Sequence, residues 1–260
     1  MSAWALHTAL DIEACNRHLA ALQAAGLLGL AEEGGAATAY FAERVSGLPV
    51  EGRWEQIPDT DWNAAWRASV EPVTIGRVVV HPPWTPPPAG QVALSIEPAQ
   101  AFGTGHHETT AGCLAALQEL PLGGRRVLDV GTGTGLLALA ALRLGARGAV
   151  GVDTDPVAVA TARGNAAANG LSLDVREGSL DAIDDGPFDV VVANLDTATV
   201  TALAPQLASV TDARGVLVVS GVSLARVASA RRALHAAGLE TEERPGSEWA
   251  LLLARHPAGA

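Results

Sequence analysis

The sequence predicts an α/β fold in which a large open sheet, mostly parallel and with helices on both faces, follows a smaller N-terminal α/β unit. Three features predict it. Val127 to Val130 is a short apolar run carrying one acid, Asp129, and it ends in Gly131-Thr132-Gly133-Thr134-Gly135, as a buried strand entering a tight loop does. Leu136 to Leu144 is apolar, rich in alanine and free of proline and glycine, so a helix starts where the glycines stop. A second apolar run, Gly148 to Val152, then ends at Asp153, 22 residues after Gly131. Strand, loop, helix and strand in this order form the unit from which parallel sheets are built.

Taken from the N-terminus, Trp4, Leu6, Thr8 and Leu10 alternate as in a strand. Asp11 can cap a helix whose apolar positions Ile12, Cys15, Leu19 and Leu22 recur at three- and four-residue steps, and Gly26 ends it. Leu27 to Ala31 and Ala37 to Ala42 read as strands flanking Gly34-Gly35, which suits a hairpin. Residues 1–57 are therefore expected to form a small sandwich of ferredoxin-like layout. Asp59 to Ala68 reads as a short helix with Trp62 and Trp66 on one face, and 58–70 as a linker helix. Pro72 and the run from Pro82 to Pro88, with Trp84 inside it, mark extended loop.

The large domain is expected over 71–260. In it, a helix from about Thr109 through Leu120 would be capped by Thr109 or Thr110. After Asp153, Asp155-Pro156 opens a helix with proline at its first position, and Asn169-Gly170 closes it. Leu173 to Arg176 and Phe188 to Ala193 are the third and fourth strands, the fourth delivering Asn194 to the carboxyl end of the sheet, where open α/β sheets bind ligands.

Composition bounds the function. At 260 residues and 48% hydrophobic, the chain has room for one large core and one small one. Met1 to Asn16 carries no basic segment followed by a long apolar run, and no stretch nears the roughly 20 apolar residues of a membrane helix, so a cytoplasmic protein without membrane contact is expected. Cys15 and Cys113, far apart, predict neither a disulfide framework nor a zinc site. His106, His107 and Glu108 are adjacent, so their side chains diverge, and no metal is expected there. The net charge is -11 with no lysine, which disfavours direct nucleic-acid binding and suits a basic partner. The excess is densest at the N-terminus: residues 1–70 carry nine acids against four Arg, and residues 71–260 nineteen against thirteen.

The glycine spacing separates two cofactor classes. A dinucleotide loop needs G-x-G-x-x-G, and the position of the third glycine is Leu136, so a nicotinamide dehydrogenase is disfavoured. The order Asp129, Gly131, Gly133, Gly135 resembles instead the loop of class I S-adenosylmethionine-dependent methyltransferases. That resemblance implies a Rossmann-like seven-stranded sheet with helices on both faces.

A longer set of motifs narrows it. Ala101 to Thr110 (AFGTGHHETT), Val127 to Gly135, Gly151 to Pro156 (GVDTDP) and Val192 to Leu195 resemble, in order and spacing, the family that methylates protein eleven of the large ribosomal subunit, the PrmA type. The likeness spans about 98 to 260. It implies S-adenosylmethionine along Phe102 and Thr110, its methionine part over Gly131 and Gly133 behind Asp129, its ribose on Asp153 and its adenine near Ser179. It implies Asn194 as the catalytic residue where methyl donor meets amine, with Phe102 and His107 on the substrate side. Two departures are visible: Ala99 stands where the family usually has Gly, and Asn194-Leu195-Asp196 replaces the usual Asn-Ile-Leu.

Enzymes that methylate planar nitrogens carry Asn-Pro-Pro-aromatic at this point to stack the flat group. Leu195-Asp196-Thr197 cannot stack one, so an aliphatic amine fits better. Such an amine must reach the methyl group neutral. Repulsion between ammonium and sulfonium, about 4 kcal/mol at 4 Å and an effective dielectric of 20, pushes the proton off without a dedicated base. The expected protein is thus a monomeric methyltransferase for α- and ε-amines of a basic ribosomal protein. Alternatives are a methyltransferase for another protein or a small amine, and a non-enzymatic ribosome-associated binder.

Overall fold

The computed structural model describes residues 3–33, 35–57, 70–87, 91–97 and 102–257. Gly34, the Asp59 to Ala68 segment with Trp62 and Trp66, Pro88 and Ala99 lie outside the described residues. The chain divides into two compact units, Met1–Ser69 and Val70–Ala260.

In the first unit, β1 (Ala3–Thr8), β2 (Leu27–Glu33), β3 (Ala36–Phe41) and β4 (Gly52–Ile57) form a sheet of order β2-β3-β1-β4, every pairing antiparallel. That is the strand order of a ferredoxin-like sheet, but 42–51, where such a layout carries its second helix, is bends and irregular backbone. The single N-terminal helix expected from the apolar spacing is two, α1 (Ile12–Asn16) and α2 (Leu19–Ala24). The chain tightens between them, His18 N–H donating to the Cys15 carbonyl at 2.9 Å before Leu22 N–H picks up His18 at 3.0 Å. Asp11 caps as expected, accepting from Ala14 N–H at 2.7 Å. Leu6, Leu22, Ala39, Phe41 and Val50 are the buried core of this unit.

The second unit opens with a small sheet not foreseen from the sequence: β5 (Val73–Ile75), β6 (Val78–His81) and β7 (Val92–Ser95). Helix α3 (Glu108–Glu119) follows. The main sheet then has β8 (Arg126–Val130), β9 (Gly148–Asp153), β10 (Asp174–Glu177), β11 (Phe188–Asn194), β12 (Thr211–Ser223), β13 (Glu240–Pro245) and β14 (Trp249–Arg255). Their order is β10-β9-β8-β11-β12-β14-β13, with β14 antiparallel to both neighbours and the rest parallel. This is the seven-stranded sheet expected. The third strand begins at Asp174 rather than Leu173, which packs instead as a partly buried side chain.

Because both faces are covered, alternate residues of one strand enter different cores. Val127, Val192, Val218 and Leu253 join Leu114 and Leu117 of α3 and Leu136 and Leu139 of α4 (Leu136–Arg143). Leu128, Val191, Leu217 and Leu252 join Val200 and Leu207 of α6 (Thr197–Val210) and Leu234 of α7 (Val227–Ala236). Helix α5 (Pro156–Ala168) links β9 to β10. Each fully buried leucine or valine contributes about 1.5–3 kcal/mol, so strand register is strongly specified.

A polar staple fixes the two central strands. Asp189, at the start of β11, accepts from Arg126 N–H at 2.8 Å and pairs with Arg125 at 2.9 Å. Burial acts to raise the Asp189 pKa, but these donors hold it below the carboxylate range. The other ends of β8 and β11 carry Gly131 and Asn194. Among the described residues, no helix is long and apolar enough to cross a membrane.

Candidate active site

A cleft of about 430 Å³ lies at the carboxyl ends of β8 to β11, lined by Phe102, Gly131, Gly133, Asp153, Ser179 and Asn194 among others. That is the side on which parallel sheets bind ligands, and the volume is that of a small-molecule site. Its floor is the glycine loop. Gly131 and Thr132 N–H groups both donate to the Val152 carbonyl at 2.9 Å, tying the loop to the next strand. Gly131 and Gly133 have φ of 71° and 54°, left-handed values that only glycine adopts freely. A Cβ on Gly131 would strike the Leu195 side chain, and one on Gly133 the Phe102 carbonyl oxygen.

Asp153 closes the far side of the loop. Its Oδ2 accepts from Gly133 N–H at 2.9 Å and its Oδ1 from Asp155 N–H at 3.0 Å. Each carboxylate oxygen retains acceptor capacity for a hydroxyl. Asp155 caps α5, accepting from Val157 N–H at 2.8 Å with Pro156 at the first helical position.

The 102–107 segment lies against the loop. Thr134 N–H donates to the Phe102 carbonyl at 3.0 Å and its hydroxyl to the Gly103 carbonyl. Phe102 itself is 57% exposed and lines the cleft. Asn194, at the end of β11, donates from Nδ2 to the buried Thr110 hydroxyl at 3.2 Å, which fixes the carboxamide plane.

Three sequence-predicted residues are not on the cleft wall. Thr110 stands behind Asn194 and acts on the cleft through it. Asp129 is buried under the loop, where its Oδ2 accepts from the Thr132 hydroxyl at 2.8 Å and Ala138 N–H at 3.2 Å. His107 is outside the lining and does what Thr109 or Thr110 was expected to do. Its Nδ1 accepts from Thr109 N–H, so it is the N-cap of α3, and both threonines are buried in the first turn. The His107 ring lies edge-on to Phe102 and to Trp249, centroids 5.4 Å apart in each case. Glu108 completes this clasp by accepting from the Ser247 hydroxyl and N–H, which hold its pKa down.

Sequence reasoning missed Ala158, Thr199 and Leu203, and it gave no binding role to Thr154, Leu195 and Asp196, which it had noted only as parts of motifs; all six are on the wall. For all but Leu203, which lies further along α6, a signal was available: each falls within five residues after β9 or β11, where strand ends hand over to helix N-termini.

Asp129 carries the one buried side-chain oxygen without a partner among the described residues, Oδ1. Burial, reinforced by the nearby Asp153 charge and opposed by its two donors, pushes its pKa up to about 6. A pKa raised on folding from an ordinary 3.8 means that the contribution is full below pH 4 and lost as pH rises through 6. Between those limits the wild type should lose on the order of 3 kcal/mol relative to Asp129→Asn, read from urea midpoints. Parallel midpoints across that range would show Asp129 titrating normally.

The family described as "Ribosomal protein L11 methyltransferase (PrmA)" matches residues 19–257. The ribosomal protein L11 methyltransferase of Deinococcus radiodurans is 43% identical over 256 aligned residues, covering 92% of this chain and 93% of that protein. The one from Thermus thermophilus is 41% identical over 251, covering 96% and 98%. Among solved structures, the ribosomal protein L11 methylase of Lactobacillus delbrueckii subsp. bulgaricus superposes with a TM-score of 0.67 at 28% identity, covering 72% of this chain and 99% of that one.

Proposed function

The chain belongs to the ribosomal protein L11 methyltransferase (PrmA) family, and from that premise we propose that it transfers methyl groups from S-adenosylmethionine to α- and ε-amines of ribosomal protein L11. The observation that carries the reading is Asn194, placed beside the glycine loop at the end of β11 with its Nδ2 already engaged by Thr110. This leaves Oδ1 to accept an N–H from an incoming amine and so to aim the nitrogen lone pair.

The residues present fit the cofactor. Left-handed glycines let the loop pack closely under Leu195 and the Phe102 carbonyl and line the cleft without side chains, Asp153 offers acceptors at the end of β9, and Gly178 and Ser179 bound the cleft beyond it. S-adenosylmethionine supplies a methyl group that its sulfonium already activates. The chain's own task is placement and exclusion of water: Phe102 covers, Asn194 orients, and Leu195 packs on Gly131 between them. Among the described residues, no His, Lys, Cys or Tyr lines the cleft, and in this reading the ammonium proton is released to solvent by repulsion from the sulfonium.

We further propose that residues 1–57 recognise the ribosomal protein, that the enzyme works in the cytoplasm as a monomer, and that it does not bind nucleic acid directly. The direct test is mass spectrometry of L11 incubated with the full chain and S-adenosylmethionine. Successive methyl increments on amines are expected, and unmodified L11 would remove it as the substrate.

Asp153→Ala should weaken S-adenosylmethionine binding by about ten- to a hundredfold, equivalent to about 1.5–3 kcal/mol for charge-assisted bonds. The loss should fall toward the upper end because Asp153 also holds Gly133 and Asp155 in place. Calorimetric titration decides it, and wild-type affinity in the variant would take Asp153 out of the site.

A further inference from the structure

We propose that Asp196 is the counter-ion that receives the ammonium of the incoming amine at the Asn194 end of the cleft; this rests on the amine methyltransferase reading above. The sheet order places it there. Asp153, Asp155 and Ser179 follow β9 and β10, on one side of β8, whereas Asn194, Leu195 and Asp196 follow β11 on the other. The cofactor cradle and the amine end are therefore at opposite flanks of the glycine loop, and Asp196 is the acidic side chain that lines the amine flank.

The carboxylate is held rigidly. Oδ1 accepts from Ala198 N–H at 2.9 Å and Thr199 N–H at 3.2 Å, and Oδ2 from the Thr199 hydroxyl at 2.5 Å. These bonds keep it ionised well below neutral pH. Three of about four acceptor directions are taken, so one on Oδ2 is left for an ammonium N–H. Among the described residues, no basic side chain lines the cleft to neutralise it. A substrate ε-amine arrives almost wholly protonated at neutral pH, and an α-amine mostly so. It must also enter a cleft that would hold a cationic sulfonium, so a fixed negative charge beside Asn194 attracts it on entry, before the closer approach to the sulfonium drives the proton off to solvent.

A bare capping role predicts something different, and one substitution separates the two. Asparagine caps a helix as well as aspartate does, so Asp196→Asn keeps the α6 N-terminus while removing the charge. With L11 as substrate at low salt, KM should rise about three- to tenfold, equivalent to about 0.7–1.4 kcal/mol, with kcat within about twofold. The gap should narrow as salt is raised from about 0.02 to about 0.5 M. Affinity for S-adenosylhomocysteine, whose sulfur is uncharged, should be unchanged. An unchanged KM at low salt would overturn the proposal and leave Asp196 as a cap, and so would a matching loss of S-adenosylhomocysteine affinity. The wild-type chain run alongside distinguishes the two readings: no transfer to L11 by wild type refutes the proposed activity, whereas wild-type transfer with an indifferent Asp196→Asn refutes the counter-ion.

Discussion

Gly133→Ala is expected to weaken S-adenosylmethionine binding by about 100-fold or more, with methyl transfer falling in parallel. The residue has a φ of 54°, and an added Cβ would run into the Phe102 carbonyl oxygen. Left-handed backbone costs a non-glycine residue about 1–2 kcal/mol. The collision adds more, because the obstacle is backbone already bonded to Thr134 N–H at 3.0 Å and cannot swing aside as a side-chain tip would. Relief requires the loop to part from the 102–103 segment, and the cleft is built from both. Gly164→Ala is the control. Gly164 lies inside α5 with nothing near its missing Cβ, so alanine there should leave affinity unchanged and raise stability by about 0.5–1 kcal/mol. Calorimetry on the two variants reads the contrast directly, and equal affinities would show that the glycine requirement is not steric.

What the sequence disclosed and what it withheld divide along the range of the interactions. Gly131, Gly133, Asp153, Ser179 and Asn194 were legible because each sits at a strand end, and a strand end on a parallel sheet is a local property that places its residue without reference to the rest of the chain. The strands β8, β9 and β11 were legible because, buried on both faces, they read as nearly continuous apolar runs, which the edge strands β10 and β13 do not. The role of Thr110 was not, since its partner Asn194 is 84 positions away and no local pattern announces the bond. Nor was the clasp of Glu108 on Ser247, whose partners are 139 apart. Capping at α3 was misread because Thr109 and Thr110 are better caps by residue type than histidine, yet both are buried in the first turn and the His107 ring nitrogen takes the Thr109 N–H. The sheet of Val73–Ile75, Val78–His81 and Val92–Ser95 escaped because strands of three or four residues show too little periodicity, and prolines fill the connection between the last two.

Residues 71–260 alone should bind S-adenosylmethionine as the full chain does, yet lose on the order of 100-fold or more in kcat/KM on ribosomal protein L11, what about 2.7 kcal/mol of docking would supply. The first half of the expectation follows from packing. Among the described residues, the buried core of the first unit is built from Leu6, Leu22, Ala39, Phe41 and Val50, and the buried members of both cores of the sheet domain all lie beyond residue 77, so removing the first unit takes none of them out of the cores that support the cleft. The second half follows from charge and from the proposed division of labour. With nine acids against four Arg in residues 1–70, the small unit is about twice as acidic per residue as the remainder, and Glu32, Glu43 and Glu51 are exposed on it. A basic protein is drawn to such a surface before its amines reach Asn194, and that attraction sets the encounter rate more than the strength of any single contact. Charge reversal at those three glutamates in the full chain should therefore slow transfer at low salt, with the difference fading as salt rises and the Debye length falls from about 30 Å at 0.01 M to about 8 Å at 0.15 M. Cofactor titration and initial rates on the truncated and reversed proteins test both halves. Transfer to L11 by residues 71–260 at the full-length rate would show that the sheet domain finds its substrate unaided.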